Sequence, residues 1–418
     1  MEKITAVILA AGLGTRMKSS IPKVLHPFRS GTILGSVICN LKSAGISDIA
    51  AVVGYKAEEI ESSFKNENIK FVRQKELLGS GDALACAVRE MDDEEGMLLV
   101  TCGDTPLITD ETYGKMVEGY RSGSVSCVLL TCVLPEPGVY GRIKRDEKGN
   151  ILKIVEEKDA SEDEKKITEI NAGTYCFRKS DVKKFISDIK LNEKKKEFYL
   201  TDIIDILRCN GKKIISCGCG REEAIGINSR RDLAMANKIS NRKKLDELMD
   251  CGVTIVDPDN TYIDDTVEIG SDTVIFPNTV IEKDVKIASG CSIGPFARLR
   301  PGTRLADKVE VGNFVELCRT EIQSGAKVKH HTYLGDTVVG KDVNIGAGTI
   351  TANYDGKNKH RTEIGDNAFI GVGAVLIAPV KIGKNARVGA GSVVTKNKDV
   401  PAGETVVGVP AKRFRGSI

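Results

Sequence analysis

At 418 residues the chain exceeds what one ordinary core holds, so two or three domains are expected. Charged residues make up 28% of it yet leave a net charge of only +3. That mixed surface argues against nucleic-acid binding and leaves phosphorylated small molecules open as partners. Twelve cysteines show no CxxC pair and no zinc-type Cys/His spacing, so the sulfurs read as small apolar side chains in a reducing compartment.

The first apolar run, residues 4–11, is too short for a membrane span and ends in Gly-Leu-Gly rather than a cleavage pattern, so a cytoplasmic protein without membrane contact is expected. Residues 4–230 alternate short apolar runs (6–9, 49–53, 97–101, 125–130) with helical stretches such as 83–91. Runs apolar on both faces and spaced by helices are what a mostly parallel sheet requires, so this half is predicted to be α/β and Rossmann-like. Its first strand runs into LAAGLGTRM, residues 9–17. Two glycines after a strand let backbone N–H groups approach phosphate oxygens, and the helix start beyond them favours negative charge. A dinucleotide fingerprint needs a third glycine where Met17 stands, which weighs against a nicotinamide cofactor.

Arg16 and Lys23 follow as two cations suited to a triphosphate whose charge grows in the transition state; each alone reads equally as surface charge beside a glycine turn. Gln74 with LGSGDA, residues 78–83, offers an amide and a second glycine-rich turn to cup a nucleobase edge. The alternative is a loop in which Ser80 or Asp82 caps a helix starting at Ala83. Asp104 follows a strand, at the carboxyl end of the sheet where open α/β sheets bind ligands. One carboxylate there suits Mg²⁺, which keeps most of its water and takes phosphates as further ligands. Gly141, Glu156, Asn171 and Asn228 also stand at apparent strand ends, where each taken singly reads as a turn residue.

Residues 229–250 read as a charged helix with Leu245, Leu248 and Met249 on one face. From Ile263 an aliphatic residue then returns every sixth position through Ile269, Ile275, Ile281, Ile287, Ile293, Leu299, Leu305, Val311 and Leu317. That period fits neither a helix nor simple strand alternation; it fits three short strands per triangular coil, and a left-handed parallel β-helix is predicted. The register slips by one residue before Ile322 and again before Val339, and breaks at the polar stretch 351–362 before resuming at Ile364. Breaks in a solenoid mark loops on one face, often the binding face, so chemistry is expected around residues 318–362.

The segments LAAGLGTRM, PKVLH, CGDTPL, YGRI, VEEKDA, EINAG, EFYLTD and GINSR precede GPFARLRPG, VGNFVEL, HHTYLGD, NIGAGTITANYDG and APVKIG in the repeat. In that order, over essentially the whole chain, they resemble the bifunctional N-acetylglucosamine-1-phosphate uridyltransferase / glucosamine-1-phosphate N-acetyltransferase family. The resemblance implies a uridylyltransferase domain at 1–228, a helical linker at 229–250 and a trimerising acetyltransferase β-helix at 251–418. In the first domain it places Leu9, Ala10, Ala11 and Gly12 along the UDP-sugar, with Arg16 and Lys23 on the triphosphate of UTP. Gln74, Gly79 and Ser80 would read uracil, Gly141, Glu156 and Asn171 would hold the sugar, and Asp104 with Asn228 would bind Mg²⁺. In the β-helix it makes His330 the general base, with Arg300, Tyr333, Asn344 and Lys359 on the amino-sugar phosphate. Ala347, Asn353, Tyr354 and Ala390 would meet acetyl-CoA in clefts between subunits.

Departures from the family pattern include Asp82 for a usual His and Cys102 for a usual Tyr. In the second half Cys318 replaces a phosphate-contacting lysine and Val372 a serine near the thioester, and the tail looks more like that of general hexapeptide acyltransferases. Losing one charged hydrogen bond to phosphate costs about 1.5–3 kcal/mol. Arg319 is a candidate replacement, although neighbours on a strand point to opposite faces. Two other readings stand beside the bifunctional one: a uridylyltransferase whose β-helix acetylates a different amino-sugar phosphate, or one whose β-helix is only a trimerising scaffold.

Overall fold

The computed structural model describes residues 3–93, 95–193 and 195–414. The chain divides into two compact units, Met1–Asn237 and Lys238–Ile418. In the first, strands β1 (Ile4–Leu9), β2 (Asp48–Val53), β3 (Lys70–Arg73), β4 (Met97–Cys102), β5 (Cys127–Val133), β6 (Arg142–Arg145), β7 (Ile151–Val155), β8 (Glu169–Arg178) and β9 (Ile214–Gly218) share one sheet. The order is β9-β5-β8-β4-β1-β2-β3, with β6 paired to β8 and β7 to β6. Neighbours along it run parallel except β8, which lies antiparallel between β4 and β5.

The apolar runs are buried on both faces for the expected reason. Ala6, Ile8, Ala51 and Leu99 point into one core, while the alternating Val7, Val52, Leu98 and Val100 point into another. Helices α1 (Ile33–Ser43), α2 (Ser80–Arg89) and α3 (Asp110–Gly123) supply the apolar stripes that cover them; Thr32 caps α1 and Thr109 caps α3 through their hydroxyls. Helix α2 starts three residues earlier than the Ala83 start predicted. Its N-cap is Gly79 at φ +99°, so neither Ser80 nor Asp82 is the cap; the Ser80 hydroxyl instead accepts from the Leu200 N–H at 3.1 Å.

The second unit is the left-handed parallel β-helix. Its two- to four-residue strands stack into three faces, and we call the face starting at Thr254–Ile255 the first, that at Tyr262–Ile263 the second and that at Glu268–Ile269 the third. Glu268 pairs with Lys286 and Lys286 with Arg304, a coil of eighteen residues. The two slips shorten it to seventeen, as in Glu310–Lys327–Asn344, and the polar insertion stretches one coil to twenty-five, from Asn344 to Phe369. The hexad positions form one continuous core, with Ile275, Ile281, Leu299, Leu317, Val328, Leu334 and Leu376 fully buried. Helix α4 (Arg230–Asp250) supplies Leu245 and Leu248 to that core, with Met249 against it, and so shields an end that a solenoid would otherwise leave apolar. Earlier in α4, Ala236 packs with Phe28, Ile33 and Ile227 of the first unit.

Candidate active sites

At the carboxyl ends of β1 and β4 lies a cavity of about 430 Å³. Leu9, Ala10, Ala11, Gly12, Lys23, Gln74, Gly79, Ser80 and Asp104 line it, with Cys102 and Glu197. The two glycines of the first turn do different work. A Cβ on Gly12 would meet no protein atom within 4 Å, so the missing side chain leaves room for a ligand. Gly14, at φ +62°, packs so closely that a Cβ would lie 2.7 Å from that of Lys23. The Lys23 ammonium is thereby aimed at the end of β4, where it donates to the Asp104 carboxylate and, at 3.2 Å, to Asn228 Oδ1. The Ile227 N–H donates to the Asp104 carbonyl at 2.8 Å, which holds the Asn228 segment there. Arg16 is exposed in the short turn Thr15–Met17.

A second group gathers beside β7 and β8. The Asn171 N–H donates to the Gly141 carbonyl at 2.9 Å, and a Cβ on Gly141 would stand 3.7 Å from Glu156 Oε1. The Asn171 side chain is held by its own loop, accepting from the Gly173 N–H at 3.0 Å and donating to the Tyr175 hydroxyl at 2.7 Å. Burial raises the Glu156 carboxyl above its ordinary range, opposed by the Thr201 hydroxyl, which donates to Oε1 at 2.9 Å. Thr201 was not singled out from the sequence; its only signal was membership of EFYLTD. Cys102, which also lines the cavity, donates at 3.6 Å to the Gly173 carbonyl, and burial pushes its thiol up to about 12.

In the β-helix the candidate residues fall on two corners. His330, Ala347, Val372 and Ala390 each stand two residues past an inward position and stack on the corner after the first face. There the Gly348 N–H donates to the His330 carbonyl at 3.3 Å, Gly373 to Ala347 and Gly391 to Val372, both at 2.7 Å. Glycines flank three of these residues, so the column below His330 carries only two methyl groups and the exposed Val372. His330 Nδ1 is 2.8 Å from Asn313 Oδ1, its register partner one coil back. An amide oxygen only accepts, so Nδ1 is the donor in this contact, and in the neutral ring that leaves the lone pair on Nε2. Asn313 also was not singled out from the sequence; its signals were membership of VGNFVEL and its place seventeen residues before His330. His331 turns outward at φ +44° and stacks on Phe314, which stacks on Phe296.

The corner after the second face carries Arg300, Cys318 and Asn353, with Tyr354 on the inserted loop. Arg300 donates to Glu316 Oε1 at 2.9 Å, and Cys318 is buried. The strand-alternation argument against Arg319 does not hold, because Arg319 sits at the corner with φ +49°. Its guanidinium turns back, Nη1 lying 3.0 Å from Cys318 Sγ while Nε and Nη2 donate to both Asp336 oxygens at 2.6 and 2.8 Å. Arg319 holds the Asp336 carboxyl below the usual range against burial, helped by the Asn353 amide and the charge of Lys359. Tyr354, largely exposed, bridges to Lys359 across the loop. Tyr333 stands on the second face and Asn344 on the first. Within one chain, then, the corner of His330 and that of Arg300 lie at opposite edges of the second face.

Among the described residues no group of three or more His, Cys, Asp or Glu is placed to hold a metal ion, and no helix is long and apolar enough to cross a membrane. Residues 6–147 match the model of the MobA-like NTP transferase domain. Residues 266–301 and 361–396 match that of the bacterial transferase hexapeptide, six repeats. Relatives match nearly end to end. The bifunctional protein GlmU of Caldanaerobacter subterraneus subsp. tengcongensis is 42% identical over 97% of this chain and 95% of its own. That of Carboxydothermus hydrogenoformans is 44% identical over 94% and 95%, and that of Shouchella clausii 43% over 95% and 94%.

Proposed function

The chain belongs to the family of bifunctional GlmU proteins, and from that premise we infer that it makes UDP-N-acetylglucosamine in two reactions. The β-helix transfers acetyl from acetyl-CoA to glucosamine 1-phosphate. The α/β unit then joins the product to UTP with release of pyrophosphate. The observation that carries this reading is the presence in one chain of two unlike centres: Lys23 and Asp104 in the wall of a cavity with Asn228 bonded to Lys23, and an imidazole above a glycine-flanked column.

For uridylyl transfer, a phosphate oxygen of N-acetylglucosamine 1-phosphate attacks the α-phosphorus of UTP in line, and the bond to the pyrophosphate oxygen breaks. Arg16 and Lys23 neutralise charge on the triphosphate, and Gly12 admits it close to the backbone. Gln74, Gly79 and Ser80 hold the base, and Gly141, Glu156 and Asn171 the sugar. Asp104 and Asn228 would hold Mg²⁺: their carboxylate and amide oxygens already converge on one cationic group, and such hard oxygen ligands suit that ion. When bound it supplies further charge neutralisation at the phosphates.

For acetyl transfer, His330 Nε2 removes a proton from the sugar amine as its nitrogen attacks the thioester carbonyl; the C–S bond breaks and the imidazolium returns the proton to the departing sulfur. Asn313 keeps the ring in the tautomer this needs. The glycine-flanked column of Ala347 and Ala390 leaves room for the pantetheine arm. Arg300, Tyr333, Asn344 and Lys359 hold the sugar phosphate, and Arg319 brings to the position of Cys318 the cation that a thiol lacks. Because a site using both corners requires copies of the chain to adjoin, a homotrimer with clefts between subunits meets the requirement, Asn353 and Tyr354 reaching toward acetyl-CoA. A cytoplasmic location fits the acetyl-CoA and UTP that the protein consumes.

The test is to incubate the protein with acetyl-CoA and glucosamine 1-phosphate, without UTP, and detect N-acetylglucosamine 1-phosphate by mass, because twelve cysteines confound a thiol assay. Product is expected, and its loss in His330→Ala. No product from protein still active in uridylyl transfer would favour another amino-sugar phosphate or a scaffold, the readings that Cys318 and Val372 support.

A further inference from the structure

Gln74 is only 5% exposed in the wall of the nucleotide cavity. Its amide nitrogen carries two N–H donors and both are taken, one by the Gly79 carbonyl at 3.1 Å and one by Asp82 Oδ2 at 2.8 Å. A backbone carbonyl and an ionised carboxylate offer acceptors only, so the flipped amide would set its oxygen against two other oxygens. The neighbours therefore dictate the orientation. The carboxamide oxygen accepts no hydrogen bond among the described residues and is the atom Gln74 has left for a ligand.

Asp82 is itself held in place. It is the third residue of α2, where the helix N-terminus favours a carboxylate, and Oδ1 lies 3.5 Å from Arg89 Nη2. Its side chain is 18% exposed, sheltered enough for the contact to Gln74 to persist.

We propose that Asp82 is a positioning residue that selects the base of the nucleotide, uracil over cytosine, by locking the Gln74 amide with its oxygen toward the cavity. The proposal rests on the uridylyl-transfer reading of this cavity. Uracil presents an N–H at N3 and satisfies the waiting acceptor. Cytosine presents a lone pair at the same ring position and meets another lone pair, so it forfeits the bond and is repelled. Rotating the amide to suit cytosine breaks its bonds to Gly79 and Asp82. Thymine carries the same N3–H as uracil, so this lock does not distinguish dTTP from UTP.

The experiment measures kcat/KM for UTP, CTP and dTTP with N-acetylglucosamine 1-phosphate in the full chain, in Asp82→Ala and in Asp82→Asn, with a melting temperature for each. In Asp82→Ala one of the two acceptors opposing the flip is gone, and the preference for UTP over CTP is expected to fall by about tenfold. The preference for UTP over dTTP is expected to stay within about twofold. Asp82→Asn, whose amide oxygen still accepts from Gln74, is expected to fall between the wild type and Asp82→Ala, and it carries the test if the alanine variant does not fold. An unchanged preference for UTP over CTP in a folded variant overturns the proposal, and so does an equal change in both preferences, which marks a general loosening of the cavity. A folded wild-type chain inactive with all three nucleotides overturns the uridylyl reading of the cavity and this proposal with it.

Discussion

In the β-helix, residues that touch through successive coils are members of one column, so His330 meets Asn313 seventeen residues back and stands over Ala347 seventeen residues on. In the α/β unit, Lys23 meets Asp104 and Asn228 across separations of 81 and 205 residues, through strands whose order in the sheet departs from their order in the chain. The solenoid makes neighbours by counting, whereas the sheet makes them by topology. The same contrast governs how each unit absorbs change. Cys318 leaves its column intact, and the guanidinium of the corner residue one position on lies 3.0 Å from its sulfur. Around the cavity, by contrast, several groups lean on partners far off in the chain: Lys23 on Asp104 and Asn228, Gly81 on Phe198, Cys102 on Gly173.

The sharpest way to separate the two units is to disable one centre at a time. His330→Ala is expected to lower acetyl transfer by about 10²–10⁴-fold with uridylyl transfer unchanged, read by product mass in separate assays. Lys23→Ala is expected to do the converse, costing about 10²–10³-fold in uridylyl transfer while acetyl transfer persists. Should either substitution depress both activities equally in a folded protein, the separation of the two centres fails.

Packing offers the next contrast. Leu334→Ala, in the fully buried column of the β-helix, is expected to cost about 2–5 kcal/mol by chemical denaturation. A smaller cost would mean that neighbouring coils collapse into the space. Asn313→Ala is expected to lower kcat for acetyl transfer about tenfold with little change in KM, because it frees the His330 tautomer without touching substrate. A rise in KM alone would instead place Asn313 on the substrate.

The smallest expected effect is on the pH dependence of stability, where one carboxyl from each unit runs in an opposite direction. Glu156 is raised in the folded state, so the fold binds its proton more tightly than the unfolded chain does. Its penalty is absent at low pH, grows as pH rises through the ordinary carboxylate value and is complete above the raised one. Glu156→Gln is therefore expected to raise the melting temperature at neutral pH and not at acidic pH, while sugar-dependent activity falls. Asp336 is lowered by Arg319, so its contribution is present at neutral pH and lost as pH falls through the depressed value. Asp336→Asn is expected to lower the melting temperature at neutral pH, with the difference from wild type shrinking in acid. Matching pH profiles for the two variants would contradict these environments.

How much was legible follows from the same physics. The hexad positions from Ile263 to Val394 needed only periodicity, since each short strand of a triangular coil turns an aliphatic side chain into the core. Four strands of the α/β unit, β1, β2, β4 and β5, were visible as apolar runs, and LAAGLGTRM as a glycine turn after the first. The start of α2 was misplaced by three residues because a glycine at positive φ, not a capping hydroxyl, begins it. Thr201 and Asn313 escaped notice because neither polar side chain stands out until its partner is beside it.

By itself the sequence determined the repeat, its two slips and its insertion, the alternation of strand and helix in the first half, and most of the side chains that line the nucleotide cavity. Tertiary structure alone decided where the polar groups point. It set the Gln74 amide between Gly79 and Asp82, turned Arg319 back toward Cys318, placed the Glu156 carboxyl against Thr201 and assigned the proton of His330 to Nδ1. Burial of apolar surface is periodic and non-directional, so a linear pattern encodes it. A hydrogen bond depends on the position and direction of both partners, and those exist only once distant segments have been brought together.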